Sequence, residues 1–131
     1  MKLTRSLHDL PQRIQGQLRE LGSEEANFLC AIKTDFKPNA TIPTLWLVVM
    51  RDRLVLCNTH KTRGYWAGYS TKDLNCVKLS RGFTGGIQVE IIHNDNERPD
   101  RSLPLSRNTS VEDARELMAL VSMLVHGKRF S

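Results

Sequence analysis

The apolar residues near the start of the chain recur every three or four positions, so they share one face of a helix. This spacing predicts an amphipathic N-terminal helix over about residues 7–21, in which Pro11 is tolerated only within the first turn. Gly16 lowers the intrinsic stability of such a helix by about 1 kcal/mol relative to alanine, so we expect the helix to depend on docking. The apolar face comprises Leu7, Leu10, Ile14, Leu18 and Leu21.

From Phe28 onward the apolar period changes to two, which is typical of β-strands. Runs of β-branched, aliphatic and aromatic residues alternate with short turns that contain proline, asparagine, glycine or charged residues. This arrangement predicts about seven antiparallel strands between residues 28 and 105. The runs are residues 28–36, 45–50, 54–58, 65–69, 74–79, 87–92 and 102–105.

The clearest element is a second amphipathic helix near the end of the chain, over about residues 110–127. Ser110 followed three residues later by Asp113 resembles a capping box, and Gly127 suits the end of a helix. An apolar stripe along one face predicts that this helix packs on the strands. The stripe comprises Val111, Ala114, Leu117, Met118, Val121, Leu124 and Val125.

The length of 131 residues suits one domain, so we predict a single domain over residues 1–131, mainly β with a helix at each end. Charged residues near the start leave no apolar stretch long enough for a signal peptide or a membrane span. Cys30, Cys57 and Cys76 show neither a Cys-x-x-Cys pair nor zinc-finger spacing. We therefore expect reduced thiols and a cytoplasmic protein.

The formal net charge of +5 favours anionic partners only mildly. Acidic residues lie between the basic ones along the chain, whereas a nucleic-acid-binding protein usually concentrates its basic residues on one element. We therefore expect no nucleic acid among the partners. A protein partner and, as an alternative, the anionic inner face of a membrane are both consistent with this charge.

A longer pattern lies in the middle of the chain. An apolar run, an Asp-Arg turn and a second apolar run occupy residues 45–56, Tyr65-Trp66 follows, and residues 73–79 read Asp-Leu-Asn-Cys-Val-Lys-Leu. Together with the predicted strands and the final helix, this pattern resembles a pleckstrin-homology-like (PH-like) domain, in particular its bacterial members. The resemblance covers about residues 28–126 and implies an open barrel of about seven antiparallel strands capped by the C-terminal helix.

A narrower resemblance involves the N-terminal half. The leading helix, the acidic pair Glu24-Glu25, Thr34-Asp35 and the hairpin that contains Trp46 are similar to a cytosolic domain of some bacterial ATP-binding cassette exporters. In those proteins this domain precedes the membrane part. The resemblance implies a regulatory or docking domain, either free-standing or part of a larger protein.

Two basic loops provide the sharpest indication of a binding site. Lys33 and Lys37 flank the first loop, and Lys61 and Arg63 lie in the third, so both pairs emerge at the same end of a meander. In the phosphoinositide-binding members of the resembled family, such loops grip phosphates through charge-assisted hydrogen bonds. Residues 38–44 contain no lysine or arginine, so a merely solvated basic rim is an equally good interpretation.

Catalytic and metal-binding residues are not predicted. Cys57 and His60 are three positions apart and would face opposite sides of a strand. His93, Asp95 and Glu97 alternate and could share a face, but the asparagine and proline residues around them favour a solvated turn. We therefore predict no metal and no cofactor.

Aromatic residues often mark binding surfaces, and the chain contains two tryptophans. Trp46 and Trp66 both lie inside runs that also contain other apolar residues. We therefore predict packing in the barrel for both side chains rather than stacking on a ligand.

Three functional hypotheses follow from these patterns. The leading one is a non-catalytic adaptor or regulatory domain that engages a protein partner. The alternative is weak peripheral binding of anionic lipid headgroups through the four basic loop residues. The third, an enzyme, lacks a nucleophile placed beside a base.

Overall fold

The computed structural model describes residues 3–20, 27–35, 45–57, 67–81, 86–93, 101–105 and 109–126. Within these ranges the chain forms two antiparallel sheets and two α-helices, which confirms the predicted mainly β, α+β class. Helix α1 spans Gln12–Glu20 and helix α2 spans Val111–His126. The strands are β1 (Phe28–Lys33), β2 (Trp46–Met50), β3 (Arg53–Cys57), β4 (Ala67–Ser70), β5 (Leu74–Arg81), β6 (Ile87–His93) and β7 (Arg101–Pro104).

Strands that follow one another in the chain also pair with one another, so each sheet is a simple meander. β1 to β4 form the first sheet and β5 to β7 form the second, and each predicted run corresponds to one of these strands. A 3-10 turn at Thr71–Asp73 joins the two sheets. The backbone N–H and the hydroxyl of Thr71 both donate to the Asp52 carbonyl, at 3.1 and 3.2 Å. This turn is therefore tied to the β2–β3 hairpin.

The two sheets meet again where β1 ends. Thr34 and Leu105 form an antiparallel bridge, and the Asp35 N–H donates to the Pro104 carbonyl at 2.8 Å. The Thr34 side chain is fully buried, and its hydroxyl donates to the Leu45 carbonyl at 2.7 Å. Hydrogen bonds thus join the ends of β1 and β7 at this corner.

The main core lies between the inner faces of the two sheets and α2. Alternate residues of each strand point into it, because successive side chains of a strand face opposite sides. Helix α2 contributes Ala114, Leu117, Val121 and Val125, each at most 5% exposed. The apolar stripe predicted for the C-terminal helix therefore covers the open side of the core at these four positions.

Helix α2 begins as the sequence predicts. The Ser110 hydroxyl accepts a hydrogen bond of 3.1 Å from the Asp113 N–H, which satisfies one of the donors left free at a helix start. Gly127, the predicted helix end, lies outside the described residues. In the part of the chain that the structure describes, neither α2 nor α1 is long and apolar enough to cross a membrane.

A second apolar cluster lies on the outer face of the first sheet, beneath α1. Leu10, Ile14 and Leu18 are at most 4% exposed there, while Leu21 lies outside the described residues. β1, β2 and β3 are therefore buried on both faces, which explains why their sequences are almost continuously apolar. The strand residues of this cluster are Phe28, Ala31, Val48, Met50, Val55 and Cys57.

Trp46 also lies on the outer face of the first sheet, half-buried at the edge of the second cluster. The prediction that Trp46 packs against other apolar residues is confirmed, but its side chain does so on the outer face of the first sheet and not in the main core. The cause is the strand register, because Trp46 shares its face with Val48, whereas Leu47 points into the main core. Trp66 lies outside the described residues.

The N-terminal helix begins later than predicted. Leu7–Asp9 form a separate 3-10 turn, and Leu10 is extended, with φ −78° and ψ 154°. The prediction of one helix over residues 7–21 is wrong at this end, because Pro11 disfavours a helical conformation for the residue before it. The Gln15 side chain spans the break, since its Nε2 donates to the Leu10 carbonyl at 2.8 Å.

Replacing Gly16 by alanine is expected to raise the free energy of unfolding by about 1 kcal/mol. Outside its own helix, no atom of the described residues lies within 4 Å of the position that a Cβ would take. The added methyl group therefore meets no steric cost, and it reduces the conformational freedom of the unfolded chain. Urea unfolding followed by circular dichroism measures the change. A lower midpoint than that of the wild type would contradict this geometry of α1.

Candidate functional site

A groove opens at one end of the main core, where β5 ends, β6 begins and the first turns of α2 pass by. Its volume is about 340 Å³, which is near the lower end of the range for small-ligand sites. Most of its lining is apolar. The residues that line this groove are Leu79, Ser80, Ile87, Val111, Ala114 and Arg115.

The strand side of the groove is a continuation of the core face of the second sheet. Leu79 pairs with Val89, and Ile87 lies two residues before Val89, so both groove residues face the core side of the sheet. Val89 is 1% exposed, whereas Leu79 and Ile87 are only partly covered. The packing of the core is thus incomplete at this end of the β5–β6 hairpin.

The helix side of the groove begins with Val111, whose side chain is 47% exposed. The sequence predicts that Val111 is buried as part of the apolar stripe, and for this residue the prediction is wrong. The other six residues of the stripe are buried or half-buried. Val111 is the first residue of α2 and lies beside the end of the second sheet, where less of the core remains to cover it.

Arg115 gives the groove its charge. It lies one turn after Val111, so the two side chains are on the same side of α2. Among the described residues, no ion pair or hydrogen bond engages the Arg115 side chain, and the neighbouring Glu116 pairs with Arg5 instead. Within the described part of the chain, the groove therefore presents an apolar floor beside an exposed cation that has no acidic partner.

The predicted anion site is represented by one of its four residues in the described part of the chain. Lys33 is the last residue of β1, half-buried, and its register partner on β2 is Trp46. Lys37, Lys61 and Arg63 lie outside the described residues. The anion site therefore stays a prediction.

The two buried thiols have the properties of core residues. Cys57 is fully buried in the second cluster, and burial raises the pKa of its thiol to about 12. Cys30 is fully buried in the main core, where burial and then the Glu116 charge raise the pKa of its thiol to about 12. Both thiols are protonated at neutral pH, whereas a nucleophile must be a thiolate. His60 lies outside the described residues.

His93 is a buried residue at the end of β6. It is 8% exposed, its ring centroid lies 5.3 Å from that of Tyr69, and its Nδ1 has no hydrogen-bond partner within the described structure. Asp95 and Glu97, the other members of the weighed metal set, lie outside the described residues. Within the described ranges, no three histidine, cysteine, aspartate or glutamate side chains are grouped as metal ligands would be.

The comparison with known proteins assigns no family to this chain. A scan against models of protein families gives no match, and a search of curated proteins gives none either. A proposal about function therefore rests on the groove and its charge.

Proposed function

We propose that this chain is a non-catalytic, PH-like binding domain that docks a segment of a protein partner in the groove between β5, β6 and α2. The arrangement of a four-stranded and a three-stranded meander, joined at the ends of β1 and β7 and covered by α2, supports the PH-like assignment. The barrel form and the partner are proposals that rest on this arrangement and on the groove.

The observation that carries the docking proposal is an apolar floor beside Arg115, a cation that pairs with no acidic residue of the described ranges. Leu79, Ile87 and Val111 offer partly exposed apolar surface, and burial of such surface drives most protein association. Arg115 beside them offers a fork of donors that suits a carboxylate. The expected ligand is therefore a peptide segment with an aliphatic or aromatic side chain close to an aspartate or glutamate.

The position of β5 suits an extended ligand. β5 is the end strand of the second sheet, and among the described strands none pairs with its outer edge. An end strand presents unpaired N–H and C=O groups that an added segment can bind. A segment that follows this edge passes Ser80 and reaches the groove.

The described thiols and polar side chains also support a binding role rather than catalysis. Cys30 and Cys57 are fully buried and protonated in the closed fold, so neither thiol is placed to attack a bound substrate. Ser80, in the groove, has no histidine, aspartate or glutamate among the other lining residues to activate its hydroxyl.

The test is selection of peptides from a random display library against the full chain. We expect the selected peptides to share an aliphatic or aromatic residue near an acidic one. Val111→Glu should weaken binding of such a peptide at least tenfold. It puts a polar group on the apolar floor, and its negative charge repels the acidic residue of the peptide. Arg115→Gln should weaken binding about five- to tenfold through loss of the charged contact. Isothermal titration calorimetry measures both changes.

Two variants serve as matched controls. Met123→Glu adds the same charge at another exposed apolar residue of α2, 59% exposed and outside the groove, and Arg13→Gln removes an exposed arginine from α1. Both should bind the peptide within twofold of the wild type. Equal peptide binding by the wild type and Val111→Glu would exclude the groove as the binding site.

The lipid hypothesis has a separate test. Binding of anionic vesicles at low salt that is lost in the Lys61→Glu, Arg63→Glu double variant would support it.

A further inference from the structure

Residues 3–5 form a short segment, here called the strap, that pairs with the free edge of β1. Thr4 and Ala31 exchange two backbone hydrogen bonds of 2.8 Å each in an antiparallel bridge. This register places residue 3 opposite residue 32 and residue 5 opposite residue 30. The strap thus lies directly over the stretch of β1 that contains Cys30.

The strap also reaches the C-terminal helix. Leu3 is 5% exposed and belongs to the main core. The Arg5 guanidinium forms an ion pair with the Glu116 carboxylate on α2, and a second contact runs from Nε to Oε1 at 3.1 Å. The strap therefore crosses from the edge of β1 to α2 and closes the core between them.

Cys30 lies beneath this crossing. The thiol is fully buried, and the register of the bridge places Cys30 opposite Arg5, whose guanidinium pairs with Glu116. The β1–β2 register shifts between Phe28 and Cys30, so the strand is irregular at this point. Such irregularities disrupt the ladder locally and interrupt the regular pairing of a strand.

The strap is held much less firmly than the strands it covers. It has one two-bond bridge and one buried apolar side chain, and its ion pair is 60% exposed at Arg5 and 41% at Glu116. Exposed ion pairs change an equilibrium by about two- to fivefold. β1 and β2, by comparison, pair along the whole length of both strands. Segments with so few contacts open at lower cost than the rest of a fold.

We propose that the strap opens and closes on the folded domain, and that its opening uncovers Cys30 and the edge of β1 while both sheets stay intact. The uncovered edge offers the backbone N–H and C=O of Ala31 to an extended segment of another chain. Because Leu3-Thr4-Arg5 occupies this edge in the closed state, the segment expected to replace it has an apolar residue two positions before a basic one. This surface shares no residue with the groove, so either proposal stands if the other fails.

The test is alkylation of each cysteine in the native full chain by iodoacetamide, measured per residue by mass spectrometry. Cys57 is the matched internal control, because it is equally buried and its pKa is raised to the same value of about 12, but it lies in the second cluster. Half-buried Cys76 is the positive reference. We expect Cys30 to react at least tenfold faster than Cys57, with a rate that changes little at low urea concentration.

Variants of the strap test whether its contacts control the alkylation rate of Cys30. Arg5→Gln should raise the Cys30 rate about two- to fivefold, and the exchange of charges in the Arg5→Glu, Glu116→Arg double variant should return it toward the wild-type value. Leu3→Ala should raise it about thirtyfold, because it removes the buried anchor of the strap. None of these variants should change the Cys57 rate by more than twofold.

Equal rates for Cys30 and Cys57 that rise together with urea would overturn the proposal, since both thiols would then react only after global unfolding. Unequal rates with an unchanged Cys30 rate in Arg5→Gln and Leu3→Ala would overturn it as well, because another opening would be responsible. If Leu3→Ala fails to fold, the urea dependence of the two wild-type rates still decides the question.

Discussion

Replacement of Leu117 by alanine is expected to lower the free energy of unfolding by about 3 kcal/mol. Leu117 is 1% exposed and lies in the main core, where α2 covers the sheets. The smaller side chain loses the transfer free energy of the deleted atoms and leaves a cavity that the neighbouring strands fill only in part. Urea unfolding followed by circular dichroism gives the midpoint and slope from which this value is obtained.

The same helix supplies the control for this prediction. Met123→Ala also shortens an apolar side chain of α2, but Met123 is 59% exposed and should change stability by less than about 0.5 kcal/mol. Similar losses for the two variants would mean that α2 does not cover the core with the face seen here.

Replacement of Ile14 by alanine should also cost about 3 kcal/mol, although it lies in a different cluster. Ile14 is fully buried between α1 and the outer face of the first sheet. A helix of nine residues is unstable on its own, so α1 depends on this packing for its structure. Urea unfolding measured by circular dichroism should remain a single transition, because the second cluster and the main core share β1, β2 and β3.

Arg13→Ala is the control beside it, since Arg13 is exposed on the same helix and should change stability by less than about 0.5 kcal/mol. A loss below about 1 kcal/mol for Ile14→Ala, or a separate early transition, would indicate that α1 leaves the sheet before the domain unfolds.

The β2–β3 hairpin illustrates how much of the fold the sequence predicts. Residues 45–50 and 54–58 are predicted as strands, and the structure has Trp46–Met50 and Arg53–Cys57. The prediction succeeds because the polar pair at Arg51 and Asp52 interrupts two apolar runs, which is a local signal. Which face of each strand meets which partner is not local, so the sequence predicted that Trp46 packs against apolar residues but did not show that it does so on the outer face of the sheet.

The N-terminal helix illustrates a second cause of error. The spacing of its apolar residues is helical, and Ile14 and Leu18 are buried as that spacing requires. The periodicity says nothing about the backbone restriction that Pro11 imposes on Leu10, so the start of the helix was placed too early.

The candidate site could be predicted only in fragments. Val111 and Arg115 share one side of a predicted helix, but periodicity assigns Val111 to the core because it cannot show where the second sheet ends. Leu79 and Ile87 lie 32 and 24 residues before Val111, the first residue of α2, and only the folded structure brings them beside it. The sequence predicted a site at the basic loops instead, because charged residues can be identified without a structure.

Burial of the first sheet on both faces has a consequence for the synthesis of this protein. Trp46–Met50 is five apolar residues in succession, without proline or charge, which is the composition of segments that pair between chains and aggregate. Until α1 packs on it, the outer face of this strand is a surface to which another unfolded copy can bind. Because α1 precedes the strands in the sequence, its residues leave the ribosome first and are available to pack on the strands as these emerge.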